Sequence, residues 1–221
     1  MGKAIESIAL KRGHTIVCKI DKNTEGEISY ADLAINFSTP TSALQNVEAA
    51  IKMNIPVVSG TTGWSNDLKY IEKIARKNKV GFLHSSNFSL GMNLFFQLNK
   101  SLSKIMNTHN YSTELIEAHH FKKIDSPSGT AISLANDIIS NSSYKEWSSS
   151  DAKKDVLRIK SIRKEDIPGT HSIFYSSEFD EISIKHMSFS RFGFALGAII
   201  AAEWLKGKNG IFSMSDVLKI K

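Results

Sequence analysis

Only one cysteine, Cys18, occurs in the 221 residues, so no internal disulfide can form and a reducing, cytoplasmic setting is expected. Long apolar runs are also missing. The longest, FGFALGAIIAAEWL at 192–205, falls short of the ~20 residues that cross a bilayer and carries Glu203, so no membrane association is expected. The opening MGKAIESIALKRG has helical period rather than a continuous apolar stretch, and no signal peptide is expected from it. Repeats and low-complexity tracts are absent. A net charge of +6 and a pI near 9.3 raise the question of nucleic acid. The lysines are scattered, however, and the pairs at 122–123 and 153–154 are separated by acidic residues. Without a dense basic stripe or interleaved aromatics, a nucleic-acid partner is not expected, and a small anionic ligand accounts for the charge as well. What remains is an ordinary globular composition, 41% hydrophobic and 23% charged, in a chain long enough for one large domain or two small ones.

The first half alternates helical and strand patterns. Ile5, Ile8 and Ala9 share a helix face that Gly13 would end. Strands are expected over 14–20, 32–38, 56–60 and 80–85, with helices over 42–54, capped by Thr41, and 65–78. Short apolar strands between helices indicate a parallel sheet covered on both faces. After a polar, glycine-bearing stretch near Ser89 the pattern changes. A long helix (89–107) and a strand (112–120) precede a helix from about Ser128 to Ser140 and three strand-like runs, which suggests a mixed or antiparallel sheet. The segment 140–151 looks like a solvent loop, and the closing helix (193–206) and tail are expected to rejoin the first domain. The expected domains are therefore 1–88 with 192–221, and 89–191. The fold class is α/β.

One short stretch, EAHHFKKIDSPSGTA at 117–131, concentrates titratable groups beside a helix start. The first N–H groups of a helix lack internal partners and carry partial positive charge, so they bind anions. Gly129 lets a ligand approach the backbone, Pro127 suits a first-turn position, and Ser128 and Thr130 add hydroxyl donors. His119, His120 and Lys123 offer protons and positive charge within reach, which suits a small carboxylate-bearing substrate that is protonated during reaction. A bare helix cap would look the same, and adjacent strand histidines point to opposite faces, so one of them can be structural. No metal site is expected, because there is no i,i+4 histidine pair and Asp125 alone completes no ligand set. In the first half, GTTG at 60–63 ends one strand, INFSTP (35–40) another and HSSNFS (84–89) a third. Asp21 follows a further strand, where an acidic residue bonds a cofactor ribose. GTTG alone reads equally well as a plain turn. Together these strand ends favour a dinucleotide crevice.

The stretch EAHHFKKIDSPSGTA resembles the E-x-H-H-x-x-K-x-D-x-P-S-G-T-A signature of the 4-hydroxy-tetrahydrodipicolinate reductase family, formerly called dihydrodipicolinate reductases, of bacterial diaminopimelate and lysine synthesis. GTTGW, SNFSLGMN, PGTHSIFY and SFSRFGFALGAIIAAEWL are similar to family segments in the same order. The resemblance implies that His119 is the acid/base histidine and Lys123 the proton donor. It implies that His120, Ser128, Gly129, Thr130 and Arg191 bind a small dicarboxylate. Met1 and Gly2, Gly60, Thr61 and Thr62, and Ser86, Asn87, Phe88 and Ser89 match cofactor-contacting segments, and Asp21 and Lys22 the ribose end. It further implies a Rossmann-like N-terminal domain, a C-terminal domain with a mixed sheet, NADH or NADPH as cofactor, and a homotetramer built through that sheet. Asp21 favours an unphosphorylated ribose and Lys22 could hold a 2′-phosphate, so both cofactors are expected to serve.

One departure stands out. The family begins with a strand and a loop resembling G-x-x-G-R/K-M-G, and this sequence starts at that loop's final Met1-Gly2. The expectation is a missing first strand, through a misplaced start, a shortened chain or a natural loss. Neighbouring strands would then keep unpaired buried backbone groups at ~1–3 kcal/mol each, with weak cofactor binding and an unstable first domain. Two other readings stand beside the reductase: a different Rossmann-type oxidoreductase of a small carboxylate, and a catalytically impaired assembly or sensing relative.

Overall fold

The computed structural model describes residues 1–21, 30–150, 154–165 and 167–220. The chain divides into two compact units, Met1–Asn93 with Arg191–Lys221, and Leu94–Ser190.

Helix α1 (Gly2–Lys11) opens the first unit and ends at Gly13, whose φ is +84°. Residues 14–20, expected as a strand, form none, and Val17 and Ile20 are each 57% exposed. A strand exists only where a neighbour accepts its ladder, and apolar pattern alone does not supply one. Strands β1 (Ala34–Asn36), β2 (Val57–Ser59) and β3 (Gly81–His84) alternate with α2 (Pro40–Lys52) and α3 (Ser65–Asn78). Helix α2 starts earlier than expected. Pro40 fits its first position, and Thr39 rather than Thr41 is the cap, in a reciprocal box with Ser42.

Helix α4 (Leu90–Met106) leads to β4 (Ser112–His119), α5 (Gly129–Ile139), β5 (Glu146–Ser148), β6 (Val156–Arg163), β7 (Gly169–Ser176) and β8 (Glu181–Ser188). Part of the expected solvent loop is thus β5, a short strand paired to β6. The five strands make one mixed sheet in the order β5-β6-β4-β7-β8, with β4 parallel to β6 and antiparallel to β7. Helix α6 (Phe192–Leu205), β9 (Gly210–Phe212) and α7 (Met214–Leu218) complete the first unit. Its sheet is fully parallel, in the order β1-β2-β3-β9.

That sheet is buried on both faces, as continuous apolar strands require. Val57 and Phe82 face a core built with Ala43, Val47 and Ile51 of α2 and Ile71 and Ala75 of α3. Their neighbours Val58 and Leu83 face Ile5 and Ala9 of α1 and Ala195, Ala198 and Ile199 of α6. Among the described residues no helix is long and apolar enough to cross a membrane.

An ion pair fastens α1 to α6. Both carboxylate oxygens of Glu203 accept from the Arg12 guanidinium at 2.7 Å, and His14 Nε2 lies 2.8 Å from Oε1. The Arg12 hydrogen bonds hold the Glu203 carboxyl down at about 2. A depressed carboxyl stabilises the fold above the unfolded value of ~4.3 and loses that contribution as pH falls through the folded value. Glu203→Gln is therefore expected to cost about 1 kcal/mol near neutral pH, discounted for partial exposure, and progressively less below about pH 4. Urea unfolding midpoints across pH check this, and a penalty independent of pH would contradict it.

Candidate functional site

Alternation along β4 buries Leu115, Glu117 and His119 on one face. Pairing extends a polar row across the sheet: Glu117 lies opposite Ser161 of β6 and His171 of β7, and His171 opposite His186 of β8. The Glu117 side chain has no exposed surface, so its charge requires partners. Oε1 accepts from the Ser128 backbone N–H at 3.1 Å and from both terminal nitrogens of Arg163 at 3.3 Å. Oε2 lies 3.0 Å from His119 Nδ1, without the alignment of a hydrogen bond. Burial alone would raise the Glu117 carboxyl, but the His119 ring and the Ser128 side chain hold it well below the carboxylate range. His171 is pushed down to about 3, first by burial and then by the charge of His119.

The next loop carries the expected cluster. His119 is 7% exposed, whereas His120 beyond the strand end is half-buried. Lys123 Nζ donates to both Asp125 oxygens, at 2.8 and 2.9 Å. The Lys123 bond holds Asp125 below its ordinary value, and the N–H groups of Asp125 itself and of Gly129 add to it. An internal carboxylate thus already bridges an ammonium and a helix start. Ser128 is the N-cap of α5: its hydroxyl accepts from the Ala131 N–H at 3.1 Å and lies 3.3 Å from His171 Nε2. That hydroxyl belongs to the cap and is buried. Pro127 precedes the cap, outside the first turn. Gly129 is exposed, and a Cβ there would meet nothing within 4 Å, so the space beside the helix start is clear although Asp125 now stands at its N–H. Thr130 is half-buried beside it.

In the first unit, parallel register sets Asn36, Ser59 and His84 in line, so the segments after β1, β2 and β3 share one sheet edge. A Cβ on Gly60 would stand 2.2 Å from the Phe37 ring, so a larger residue there would have to push that ring aside. Thr61 is buried, its hydroxyl accepting from the Ser38 N–H at 2.9 Å and from Asn36 Nδ2 at 3.2 Å. Phe88 is 2% exposed and packs in the core, 5.6 Å from Phe37. Its side chain is a wall, and only its backbone is available. Thr62 and Ser86 are exposed, Gly60 and Asn87 half-buried, and the Ser89 hydroxyl accepts from the Met92 N–H at 3.2 Å. Met1 caps α1 without a side-chain bond, and a Cβ on Gly2 would meet nothing within 4 Å. Asp21 is exposed; Lys22 lies outside the described residues. Arg191 is exposed at the N-cap of α6, in the first unit.

Comparison with known proteins decides the family. The family model "Dihydrodipicolinate reductase, N-terminus" matches residues 1–88, and the corresponding C-terminus model matches 91–218. The chain belongs to the dihydrodipicolinate reductase family. It is 47% identical to the 4-hydroxy-tetrahydrodipicolinate reductase of Christiangramia forsetii over 99% of this chain and 93% of the relative. The enzyme of that name from Thermosipho africanus is 35% identical with the same coverage. Among solved structures, a dipicolinate-bound dihydrodipicolinate reductase from Paenisporosarcina sp. TG-14 shares the fold with TM-score 0.69 and 23% identity, covering 82% of this chain and 71% of that one.

Three residues of this buried cluster were given no role from the sequence: Glu117, the first residue of the E-x-H-H signature, His171, within PGTHSIFY, and Arg163. A signal existed for Glu117. It stands two residues before His119 and so shares its strand face, where a lone carboxylate between Leu115 and a histidine is anomalous. Arg163 and His171 join Glu117 from other strands, so nothing in the spacing of the sequence showed those contacts. Gly169 makes room for the cluster, since a Cβ there would lie 3.0 Å from His119 Nε2. Its backbone φ is ordinary, so Gly169→Ala tests that contact without strain. The variant is expected to displace the imidazole and lower kcat about 10-fold with folding intact. Steady-state kinetics beside circular dichroism check this; an unchanged kcat would contradict it.

Proposed function

We propose that this chain reduces 4-hydroxy-tetrahydrodipicolinate to tetrahydrodipicolinate with NADH or NADPH, a step of diaminopimelate and lysine synthesis in the cytoplasm. The observation that carries the reading is the loop from His119 to Thr130. Proton-bearing, cationic and anion-binding groups converge there, in a chain 47% identical over 99% of its length to a reductase of that name.

The substrate is a ring with two carboxylates. In this reading the N–H groups of Gly129 and Thr130 at the start of α5 receive one of them, His120 and Arg191 complete substrate binding, and Ser128 contributes as the buried cap that fixes that helix start. The incoming carboxylate takes over the contacts Asp125 now makes with Lys123 and the helix start, so binding exchanges one carboxylate for another instead of creating a buried charge. When bound, the nicotinamide supplies a hydride. A proton enters with it and the 4-hydroxyl group leaves as water. Lys123 and His119 deliver and stabilise the protons of that exchange, with Glu117 Oε2 3.0 Å from His119 Nδ1 fixing where the ring stands. The residues of the first unit fit the cofactor. The start of α1 at Met1 and Gly2 suits a pyrophosphate, and the turns at 60–62 and 86–89 suit the rest of the dinucleotide through exposed Thr62 and Ser86 and through backbone at Thr61, Phe88 and Ser89. Asp21 and Lys22 are assigned to the ribose end. On this reading 1–88 with 192–221 is the dinucleotide domain and 89–191 the substrate and assembly domain.

Lys123→Ala and His119→Ala are expected to lower kcat by about 10²–10⁴ while leaving the NADH Kd near its original value. An assay coupled to substrate synthesis, with cofactor binding measured separately, checks this. Variants that weaken cofactor binding and spare kcat would contradict the roles.

The assembly proposed is a homotetramer through the mixed sheet. Its outer strand supports this: Ile182 is 41% and Met187 48% exposed on β8, with Phe179 92% and Phe189 84% exposed beside it. Ile182→Asp combined with Met187→Asp should yield a smaller species in light scattering after gel filtration, and an unchanged mass would contradict the interface.

A further inference from the structure

Glu117, His119 and His171 each offer one ligand atom, and these atoms all lie within 4.8 Å of one another. Glu117 Oε2 is 3.0 Å from His119 Nδ1 and 3.9 Å from His171 Nε2. Ligands held at ~2.0–2.1 Å around a tetrahedral ion stand about 3.3–3.4 Å apart, a value these separations bracket. The three residues are 0%, 7% and 4% exposed, so the set is buried and held by two paired strands. Glu117 Oε2 and His119 Nδ1 have no aligned hydrogen-bond partner, which is unusual for buried polar atoms and is what coordination would satisfy. Two imidazoles and one carboxylate with a fourth position open is a zinc-type donor set, and imidazole nitrogen disfavours magnesium and calcium.

We propose that Glu117, His119 and His171 form a binding site for a Zn²⁺-like transition-metal ion, and that the ion inhibits by occupying the imidazole that handles protons. Spacing within one segment could not reveal this set, because His171 joins it from β7. Arg163 on Oε1 and the nearby Lys123 are like charges facing the ion, and the Ser128 hydroxyl 3.3 Å from His171 Nε2 would have to yield that contact. The site is therefore one a chelator empties, and the ion is an inhibitor rather than a resident cofactor. The inhibition rests on the proposed role of His119; the binding does not.

The full chain is freed of metal, dialysed against Zn²⁺ and counted by elemental analysis, with X-ray absorption at the zinc edge and the visible spectrum of the Co²⁺ form. Expected are one ion per chain, two imidazole ligands, an intense four- or five-coordinate Co²⁺ spectrum and no competition from Mg²⁺. His171→Ala should weaken Zn²⁺ binding at least 10-fold and relieve Zn²⁺ inhibition equally. No stoichiometric binding, a zinc spectrum without imidazole, or binding unchanged in folded His171→Ala, which would assign the ion to surface histidines, overturns the proposal. If His171→Ala does not fold, the wild-type absorption spectrum decides. Metal counting needs no turnover, so an inactive chain that binds zinc defeats the reductase reading alone, and an active chain that binds none defeats this one alone.

Discussion

A carboxylate with no exposed surface sits at the centre of the second unit, and the geometry around it follows from the need to satisfy its charge. Burying a carboxylate costs several kcal/mol unless hydrogen bonds and an opposite charge offset it. Glu117 takes that compensation from Arg163 of β6, from the Ser128 N–H that begins α5, and from the His119 ring. Each partner is thereby fixed in place. The start of α5 cannot drift from β4 while Ser128 donates to Glu117, so an open helix terminus stays beside a histidine held against the same carboxylate. Arg163 also donates to the Asp125 carbonyl at 2.7 Å, which anchors the loop carrying Lys123.

The first unit rests on a simpler constraint. Three short parallel strands ending in register place three turns along one edge, and side chains at that edge are largely consumed in tying the turns together. Thr61 bridges the ends of β1 and β2, and the Trp64 indole donates to the Thr61 carbonyl at 2.7 Å. What such an edge offers a ligand is mostly backbone, a rigid surface suited to phosphates and amides.

Much of this was legible in the sequence, for identifiable reasons. Strands buried on both faces give continuous apolar runs, as in PVVSG and VGFLHS, and the helices between them keep their period, so the parallel sheet could be read directly. The clustered loop at 117–131 was legible because its groups are adjacent in the chain. Pairing was not. Residues 14–20 carry a strand pattern yet form no strand, and β5 forms within a polar, serine-rich segment, because ladder partners are a tertiary matter. The start of α2 shifted to a Thr39 cap, because Pro40 takes the first helical position, whereas α5 runs between the expected bounds with Ser128 as its cap. Arg163 and His171 could not be foreseen, since nothing local marks a residue whose partner lies on another strand. Resemblance supplied the roles of contiguous motifs and included Glu117 as the first position of one, but assigned no role to the buried carboxylate that organises them.

The central claim is that the negative charge of Glu117, not merely its shape, holds His119 and the α5 start in working order. Glu117→Gln keeps the shape and removes the charge, leaving Arg163 without its anionic partner. The most direct test is the pH profile of kcat for this variant beside its unfolding free energy. The account predicts a kcat lower by ~10- to 100-fold with the acidic limb of the profile displaced, and a stability loss of about 3 kcal/mol from the uncompensated guanidinium. A variant with the parent's profile and stability would contradict it.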